Sequence, residues 1–114
     1  RGMDELSSLG VNDICEVKAG ELRDSTLDPQ KLGFSPAKVE ELVGGEAAEN
    51  AIILESVLAG TIKGPKRDIA VLNAAAGFVI TGIRDGIEAG KAFAEELLDR
   101  GAALAKLREM QSLA

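Results

Sequence analysis

The spacing of apolar and polar positions changes near residue 35 of this chain. Before it, the two kinds alternate with the period of a strand, so that Cys15, Val17 and Ala19 share one apolar face. Gly20 permits a turn, after which the alternation resumes. This pattern predicts a β-hairpin over residues 11–27, with Cys15 in the core rather than reactive, because no cationic neighbour lowers the pKa of its thiol.

From Ser35 onward the apolar residues recur at helical spacing, and glycine, proline and capping residues separate the segments. The pattern predicts about five helices over residues 35–113. The third is apolar nearly all round, so we expect it to be the most buried, with small residues from Ala74 to Gly77 that let a neighbouring backbone approach closely. The five run from the cap Ser35-Pro36 to Gly44-Gly45, from Glu46 to Leu58, from Lys66 to Thr81, from a capping box of Asp85 and Glu88 to Gly101, and from Ala102 to Leu113.

A hairpin followed only by helices indicates an α/β or α+β fold. One hairpin does not make a self-sufficient sheet. We therefore expect residues 1–114 to be part of a larger α/β domain whose other strands lie upstream. The longest apolar run, from Ile69 to Ile83, covers about 15 residues where a membrane span needs about 20, which favours a buried core helix.

The net charge and the counts of histidine and cysteine exclude several classes of partner and of catalytic site. The net charge of −6 argues against nucleic acid or an anionic membrane as the main partner, since both select for an excess of lysine and arginine. The sequence contains no histidine, which excludes a Ser-His triad or a histidine metal site made from these residues. The single cysteine allows no internal disulfide and suits a reducing compartment, so we expect a cytoplasmic protein.

Short segments then point to a family. Residues 2–7 read Gly-Met-Asp-Glu-Leu-Ser, and five further segments follow in a fixed order across nearly all of the chain. Each is weak alone, but together they resemble the C-terminal part of the anthranilate phosphoribosyltransferases. The five are Leu27-Asp28-Pro29, Leu32-Gly33-Phe34, Gly44-Gly45-Glu46-Ala47-Ala48-Glu49-Asn50-Ala51, Val57-Leu58-Ala59-Gly60 and Leu72-Asn73-Ala74-Ala75.

The resemblance implies a transferase of tryptophan biosynthesis that joins anthranilate to phosphoribosyl pyrophosphate and releases pyrophosphate, with Mg²⁺ as cofactor. It also implies a phosphorylase-like transferase fold, with a helical domain through which the enzyme dimerises and a larger α/β domain. The family's Gly-Thr-Gly-Gly-Asp phosphate loop, and its histidine and arginine around anthranilate, are not among these 114 residues. We therefore expect the 114 residues alone to be inactive.

Asp4 and Glu5 are the candidate metal ligands. Two adjacent carboxylates are most often a solvated turn, and the dipeptide by itself favours that interpretation. The resemblance reverses the preference, because Mg²⁺ prefers carboxylate oxygens together with phosphate oxygens. It implies that Asp4 and Glu5 hold the Mg²⁺ that accompanies the pyrophosphate group.

Three other polar residues have a functional and a structural interpretation. Glu49 and Asn50 stand at the head of a helix and could contact a ligand in a cleft, but we favour ordinary helix-start polarity. Asn73 lies within an apolar helix, where a buried amide needs hydrogen-bond partners. We expect it to tie a neighbouring loop to the helix rather than to contact a ligand.

Two alternatives to the transferase interpretation stay open. One is a fragment of a nucleoside phosphorylase-like enzyme of similar fold, and the other is a helical interaction module without catalysis. A small basic patch of Lys63, Lys66 and Arg67 could attract phosphate in an enzyme, although a solvated loop is the more common outcome for such residues.

Overall fold

The structure, a computed structural model, describes residues 3–114 and confirms the predicted order of a hairpin followed by five α-helices. A short 3-10 turn separates the two parts. The elements are β1 (Asn12–Lys18), β2 (Glu21–Leu27), the 3-10 turn (Pro29–Leu32), α1 (Val39–Leu42), α2 (Ala47–Leu58), α3 (Pro65–Ile80), α4 (Ile87–Asp99) and α5 (Ala102–Ser112).

The hairpin is antiparallel and closes through a two-residue turn at Ala19 and Gly20. Both turn residues have a positive φ, 52° and 81°, as the tight turn between right-twisted strands requires. The turn at Gly20 was predicted, but Ala19 was assigned to the apolar face of the first strand. It lies in the turn instead, because Lys18 is the last residue of β1 and pairs with Glu21.

The predicted apolar face of the hairpin is exposed. Cys15 is exposed and Val17 is 69% exposed, whereas Ile14 on the other face is only partly exposed. The prediction that Cys15 lies in the core is therefore wrong. Alternation separates the two faces of a strand, but it does not say which face meets the core.

Helix α1 begins later than the cap at Ser35-Pro36 predicts. The helix starts at Val39, and the backbone N–H of Lys38 donates to the Glu41 carboxylate at 2.8 Å. This is one half of a capping box, which fixes the start of the helix through the third helical residue. Ser35 and Pro36 lie in the segment without regular secondary structure before it.

Helix α4 also lacks the predicted capping box. Gly86 is its N-cap residue and makes no side-chain hydrogen bond there, so Asp85 lies one position too early to cap the helix with Glu88. The backbone N–H of Arg84 donates to the Phe78 carbonyl at 3.1 Å. This bond closes the turn that follows α3.

Helix α3 lies at the centre of the core, as predicted. Its residues Val71, Leu72 and Ala75 are 1%, 0% and 0% exposed. The small residues of α3 do allow a close crossing, but at Ala75, which meets Gly90 of α4, and not at Gly77, which lies in open space. The buried cluster comprises Phe34, Val71, Leu72, Ala94 and Leu98.

Although α3 contains the most buried residues, one side of the helix is uncovered. Ile80 is 84% exposed, and Ala70, Ala74 and Gly77 are exposed as well. Within residues 3–114, no helix combines the length and the apolar character needed to cross a bilayer.

Candidate functional site

The candidate metal ligands Asp4 and Glu5 lie in a bend before the hairpin. Both side chains are exposed. In a strand, adjacent side chains point to opposite faces, and the bend removes that constraint. The structure therefore presents the two carboxylates on an irregular loop at the surface.

The loop immediately after this pair is tied to helix α3 by Asn73. The backbone N–H of Leu6 donates to Asn73 Oδ1 at 2.9 Å, and Asn73 Nδ2 donates to the Leu6 carbonyl at 2.9 Å. Asn73 Nδ2 also donates to the carbonyl of Ile69, one helical turn earlier, at 3.0 Å. The prediction that Asn73 ties a neighbouring loop to its helix is confirmed.

A second asparagine, Asn12, ties the next residue of the same loop. The backbone N–H of Ser7 donates to Asn12 Oδ1 at 2.8 Å, and Asn12 Nδ2 donates to the Ser7 carbonyl at 2.9 Å and to that of Gly10 at 3.2 Å. The sequence reasoning did not single out Asn12. A signal was available, because asparagine is disfavoured in strands and instead bonds to nearby backbone groups.

The loop after the carboxylates rests on the core, although the carboxylates themselves are in solvent. Ser7 and Ser8 are 6% and 5% exposed, and Leu6 packs against the buried cluster around α3. The Ser7 hydroxyl accepts a hydrogen bond from the backbone N–H of Leu9 at 3.1 Å. The exposed pair is thus attached at one end to a buried, hydrogen-bonded stretch.

The donor set of this loop suits Mg²⁺ in type and number. Mg²⁺ takes oxygen ligands and is commonly held by one or two carboxylates, with phosphate oxygens and waters completing the octahedron. Asp4 and Glu5 supply two exposed carboxylates. Within the described range, no group of three or more His, Cys, Asp or Glu residues is placed to hold a metal. The assignment of Mg²⁺ to Asp4 and Glu5 stays a prediction.

Glu49 and Asn50 are occupied with the start of helix α2. The backbone N–H of Gly45 donates to Asn50 Oδ1 at 2.8 Å, and Asn50 Nδ2 donates to the Gly45 carbonyl at 2.8 Å. The Glu49 carboxylate accepts from the backbone N–H of Glu46 at 2.9 Å. These bonds support the structural interpretation of the two residues over ligand contact.

The residues of the predicted basic patch are bonded within the fold, and only part of the patch is solvated, since the Lys63 side chain is 68% exposed. Lys63 and Arg67 both bind the Asp99 carboxylate, at 3.1 and 2.9 Å, and Arg67 is only 5% exposed. The hydrogen bond from Lys63 is the main cause that lowers the pKa of the Asp99 carboxyl, and Arg67 adds to it. The two cations thus join the start of α3 to the end of α4.

The third basic residue, Lys66, satisfies the end of helix α1. Its Nζ donates to the carbonyls of Glu41 and Val43 at 2.9 and 2.6 Å. The last carbonyls of a helix have no partner within the helix, and a lysine supplies one.

Cys15 lies at the surface of the hairpin opposite Asp24. Its hydrogen bond with the Asp24 carboxylate, and to a smaller extent desolvation, raises the pKa of the thiol. A raised pKa lowers the fraction of the nucleophilic thiolate at neutral pH. This agrees with the prediction that Cys15 is not a reactive residue, although it is not in the core.

Known proteins resemble the chain along nearly its whole length. An anthranilate phosphoribosyltransferase from Clostridium beijerinckii is 46% identical over 112 residues, which cover 98% of this chain and 33% of that protein. One from an Arthrobacter species is 42% identical over 118 aligned positions, covering 98% and 33%. These names agree with the resemblance seen in the sequence.

A solved structure has the same fold. The crystal structure of anthranilate phosphoribosyltransferase (TrpD) from Thermus thermophilus superposes with a TM-score of 0.84 at 38% identity, covering 95% of this chain and 32% of that one. This chain spans about a third of the length of the curated relatives it matches.

A family model decides the classification. The model described as the glycosyl transferase family, a/b domain, matches residues 1–104, most of the chain. The predicted transferase α/β fold is the fold of that domain. The chain therefore belongs to the glycosyl transferase family and carries part of its a/b domain.

Proposed function

We propose that this chain is the C-terminal part of the α/β domain of an anthranilate phosphoribosyltransferase, a pentosyltransferase of tryptophan biosynthesis that acts in the cytoplasm. The observation that carries the proposal is the match to relatives of that name at 42–46% identity over 98% of the chain. Identity at this level along nearly the whole chain supports a common fold and a common site.

In the proposed reaction, the amine nitrogen of anthranilate forms a bond to the anomeric carbon of the ribose. The bond from that carbon to the pyrophosphate oxygen breaks, the pyrophosphate leaves with the bonding electrons, and the amine loses a proton. Negative charge builds up on the departing group, and Mg²⁺ would stabilise it when bound. Asp4 and Glu5 are the residues of this chain that would hold the ion.

The other groups that bind the substrates would come from outside the described residues. The predicted basic patch does not provide them, because Lys63, Lys66 and Arg67 are bonded within the fold. This supports an active site to which the chain contributes the carboxylate loop while other segments supply the phosphate loop and the anthranilate contacts. We propose the same origin for the dimer interface, a helical domain that precedes this chain.

The uncovered apolar residues favour the enzyme over a self-contained interaction module. Leu22 and Ile80 are 73% and 84% exposed, on the hairpin and on α3. A helical module that folds and works alone would be expected to cover such residues, whereas part of a larger domain would bury them against its other strands. The names of the relatives favour anthranilate over a nucleoside as the acceptor.

The test is to follow anthranilate fluorescence in the presence of phosphoribosyl pyrophosphate and Mg²⁺. We expect the complete gene product to consume anthranilate at about 1–10 per second, a common range for enzymes, and the 114 residues alone to leave it unchanged. A complete gene product that does not consume anthranilate would refute the proposed activity. Turnover by the 114 residues alone would place the whole active site within them.

A further inference from the structure

Two asparagine side chains hydrogen-bond to two consecutive residues of the loop that follows Asp4 and Glu5. Asn73 bonds both backbone groups of Leu6, and Asn12 bonds both backbone groups of Ser7. In each case the side-chain amide acts as a neighbouring strand would, with its oxygen accepting from the N–H and its nitrogen donating to the carbonyl. The loop is held in this way without being part of a sheet.

The two asparagines lie in different parts of the fold. Asn73 stands on α3 next to Leu72, which is completely buried, and is 67 residues away from Leu6 in the sequence. Asn12 stands at the start of β1 and also donates to Gly10 within the loop. The loop is therefore fixed to the most buried helix on one side and to the hairpin on the other.

The carboxylates themselves have no such restraint. Asp4 and Glu5 are exposed, and no hydrogen bond or ion pair joins either side chain to another residue of the described range. Their placement is thus decided by the backbone, which is fixed one residue beyond Glu5. As far as the described residues are concerned, this leaves the carboxylate oxygens available for a cation while limiting where they can be.

We infer that Asn73 and Asn12 are positioning residues for a divalent cation held by Asp4 and Glu5. The inference rests on the proposed function, since it requires that the pair binds Mg²⁺ together with phosphoribosyl pyrophosphate. Neither asparagine touches the ion. Each acts through the peptide groups of Leu6 and Ser7, in the way that residues behind a metal ligand fix its orientation.

Three alanine variants of the complete gene product test the inference. Asn73→Ala and Asn12→Ala remove the hydrogen bonds to Leu6 and to Ser7, respectively. Asn50→Ala is the matched control, because it removes the same amide-to-peptide arrangement around Gly45, at a helix start that the metal role does not involve. The double variant Asp4→Asn, Glu5→Gln is the reference for loss of the cation site.

The primary readout is the affinity for Mn²⁺ in the presence of phosphoribosyl pyrophosphate, measured by electron paramagnetic resonance. Residues behind metal ligands typically change metal affinity by about 10–100-fold, and we expect the lower end, about tenfold, for Asn73→Ala and Asn12→Ala. Asn50→Ala should bind Mn²⁺ like the unchanged protein. Excess Mg²⁺ should restore most of the rate of anthranilate consumption in Asn73→Ala and Asn12→Ala, but not in the double carboxylate variant.

A purely structural role predicts a different result. In that case the variants lower the unfolding temperature while the folded protein keeps its Mn²⁺ affinity, and this would overturn the inference. If Asn73→Ala does not fold, the Mn²⁺ affinity of Asn12→Ala alone tests the inference. Should neither fold, Asn73→Asp and Asn12→Asp replace them, since each keeps the oxygen that accepts from the loop but loses the donor to the loop carbonyl. We expect both to bind Mn²⁺ more weakly than the unchanged protein, and an unchanged affinity would overturn the inference.

The failure of the inference and that of its premise can be told apart. If the double carboxylate variant weakens Mn²⁺ binding and the asparagine variants do not, only the positioning role is refuted. If the double variant also binds Mn²⁺ unchanged, the metal role of Asp4 and Glu5 fails, and the inference fails with it. The anthranilate assay tests the proposed reaction separately from both.

Discussion

Gly90 of α4 lies so close to Ala75 of α3 that a β-carbon on Gly90 would stand 2.7 Å from the Ala75 carbonyl oxygen. The neighbouring atom is backbone and cannot swing aside. We expect Gly90→Ala to lower the free energy of unfolding by about 1–2 kcal/mol, because overpacking costs about 1–3 kcal/mol and alanine's better helix propensity returns up to about 1 kcal/mol. Urea unfolding followed by circular dichroism measures the difference.

Gly77→Ala on α3 is the matched control. Apart from the neighbouring backbone of its own helix, nothing lies within 4 Å of the β-carbon it would add, and the backbone of Gly77 is helical. Alanine should therefore raise the free energy of unfolding by about 0.5–1 kcal/mol through helix propensity alone. Equal effects of the two substitutions would show that the close crossing at Gly90 does not limit packing.

Asp99 should stabilise the fold at neutral pH and not in strong acid. Lys63 and Arg67 hold the pKa of its carboxyl below the ordinary value of 3.8, so folding favours the ionised form. This stabilisation is present above the ordinary pKa and is lost as the pH falls through the lower folded pKa. Asp99→Asn should thus lower the urea midpoint at pH 7 and have little effect near pH 2.

Asp68 should behave in the opposite way. Burial raises the pKa of its carboxyl, with only partial compensation from Arg67 and Lys91. Folding therefore favours the protonated form, and the corresponding stabilisation is lost as the pH rises through the raised pKa. Asp68→Asn should raise the urea midpoint at pH 7. A loss of stability there would mean that the attraction to Arg67 and Lys91 outweighs the desolvation of Asp68.

Removal of the two loop carboxylates should change magnesium dependence without unfolding the protein. In the complete gene product, Asp4→Asn together with Glu5→Gln removes two exposed charges, neither of which is bonded to another described residue. We expect a higher Mg²⁺ requirement and a rate at least about tenfold lower, with an unchanged unfolding temperature. If rate and magnesium dependence stay those of the parent, the pair is a solvated turn.

The hairpin should make the 114-residue chain self-associate. Val17 and Leu22 pair directly across the strands and are 69% and 73% exposed, and both strands have an unpaired edge. Sedimentation velocity at rising concentration should show association that Val17→Thr with Leu22→Thr reduces. Ile80→Thr is the control, since it removes an even more exposed apolar side chain away from the hairpin.

Cys15 reports on the same surface. Its thiol is exposed, so a thiol reagent should modify it in the monomer, at neutral pH more slowly than an unstructured cysteine because its pKa is raised. Modification should slow further as the chain associates. A strictly monomeric chain at high concentration with an unreactive Cys15 would contradict the exposed hairpin.

The sequence by itself determined the elements and most of their ends. Residues with special backbone requirements act locally, so that Gly20 marked the hairpin turn, the bounds of α2 followed from its pattern, and Gly101 marked the end of α4. The family could be predicted as well, because short segments in a fixed order can be recognised without knowledge of the contacts in the fold. The carboxylate pair was found through that order and not through its own chemistry.

Only the tertiary structure decided which groups meet. Whether Cys15 is covered depends on what packs against the hairpin, and the alternation of the strand is the same in either case. The hydrogen bond between Asn73 and Leu6 joins residues that are 67 positions apart in the sequence. The burial of Arg67 depends on where the end of α4 places Asp99. Such pairings are set by the packing of helices against one another, and packing involves residues that local patterns do not relate.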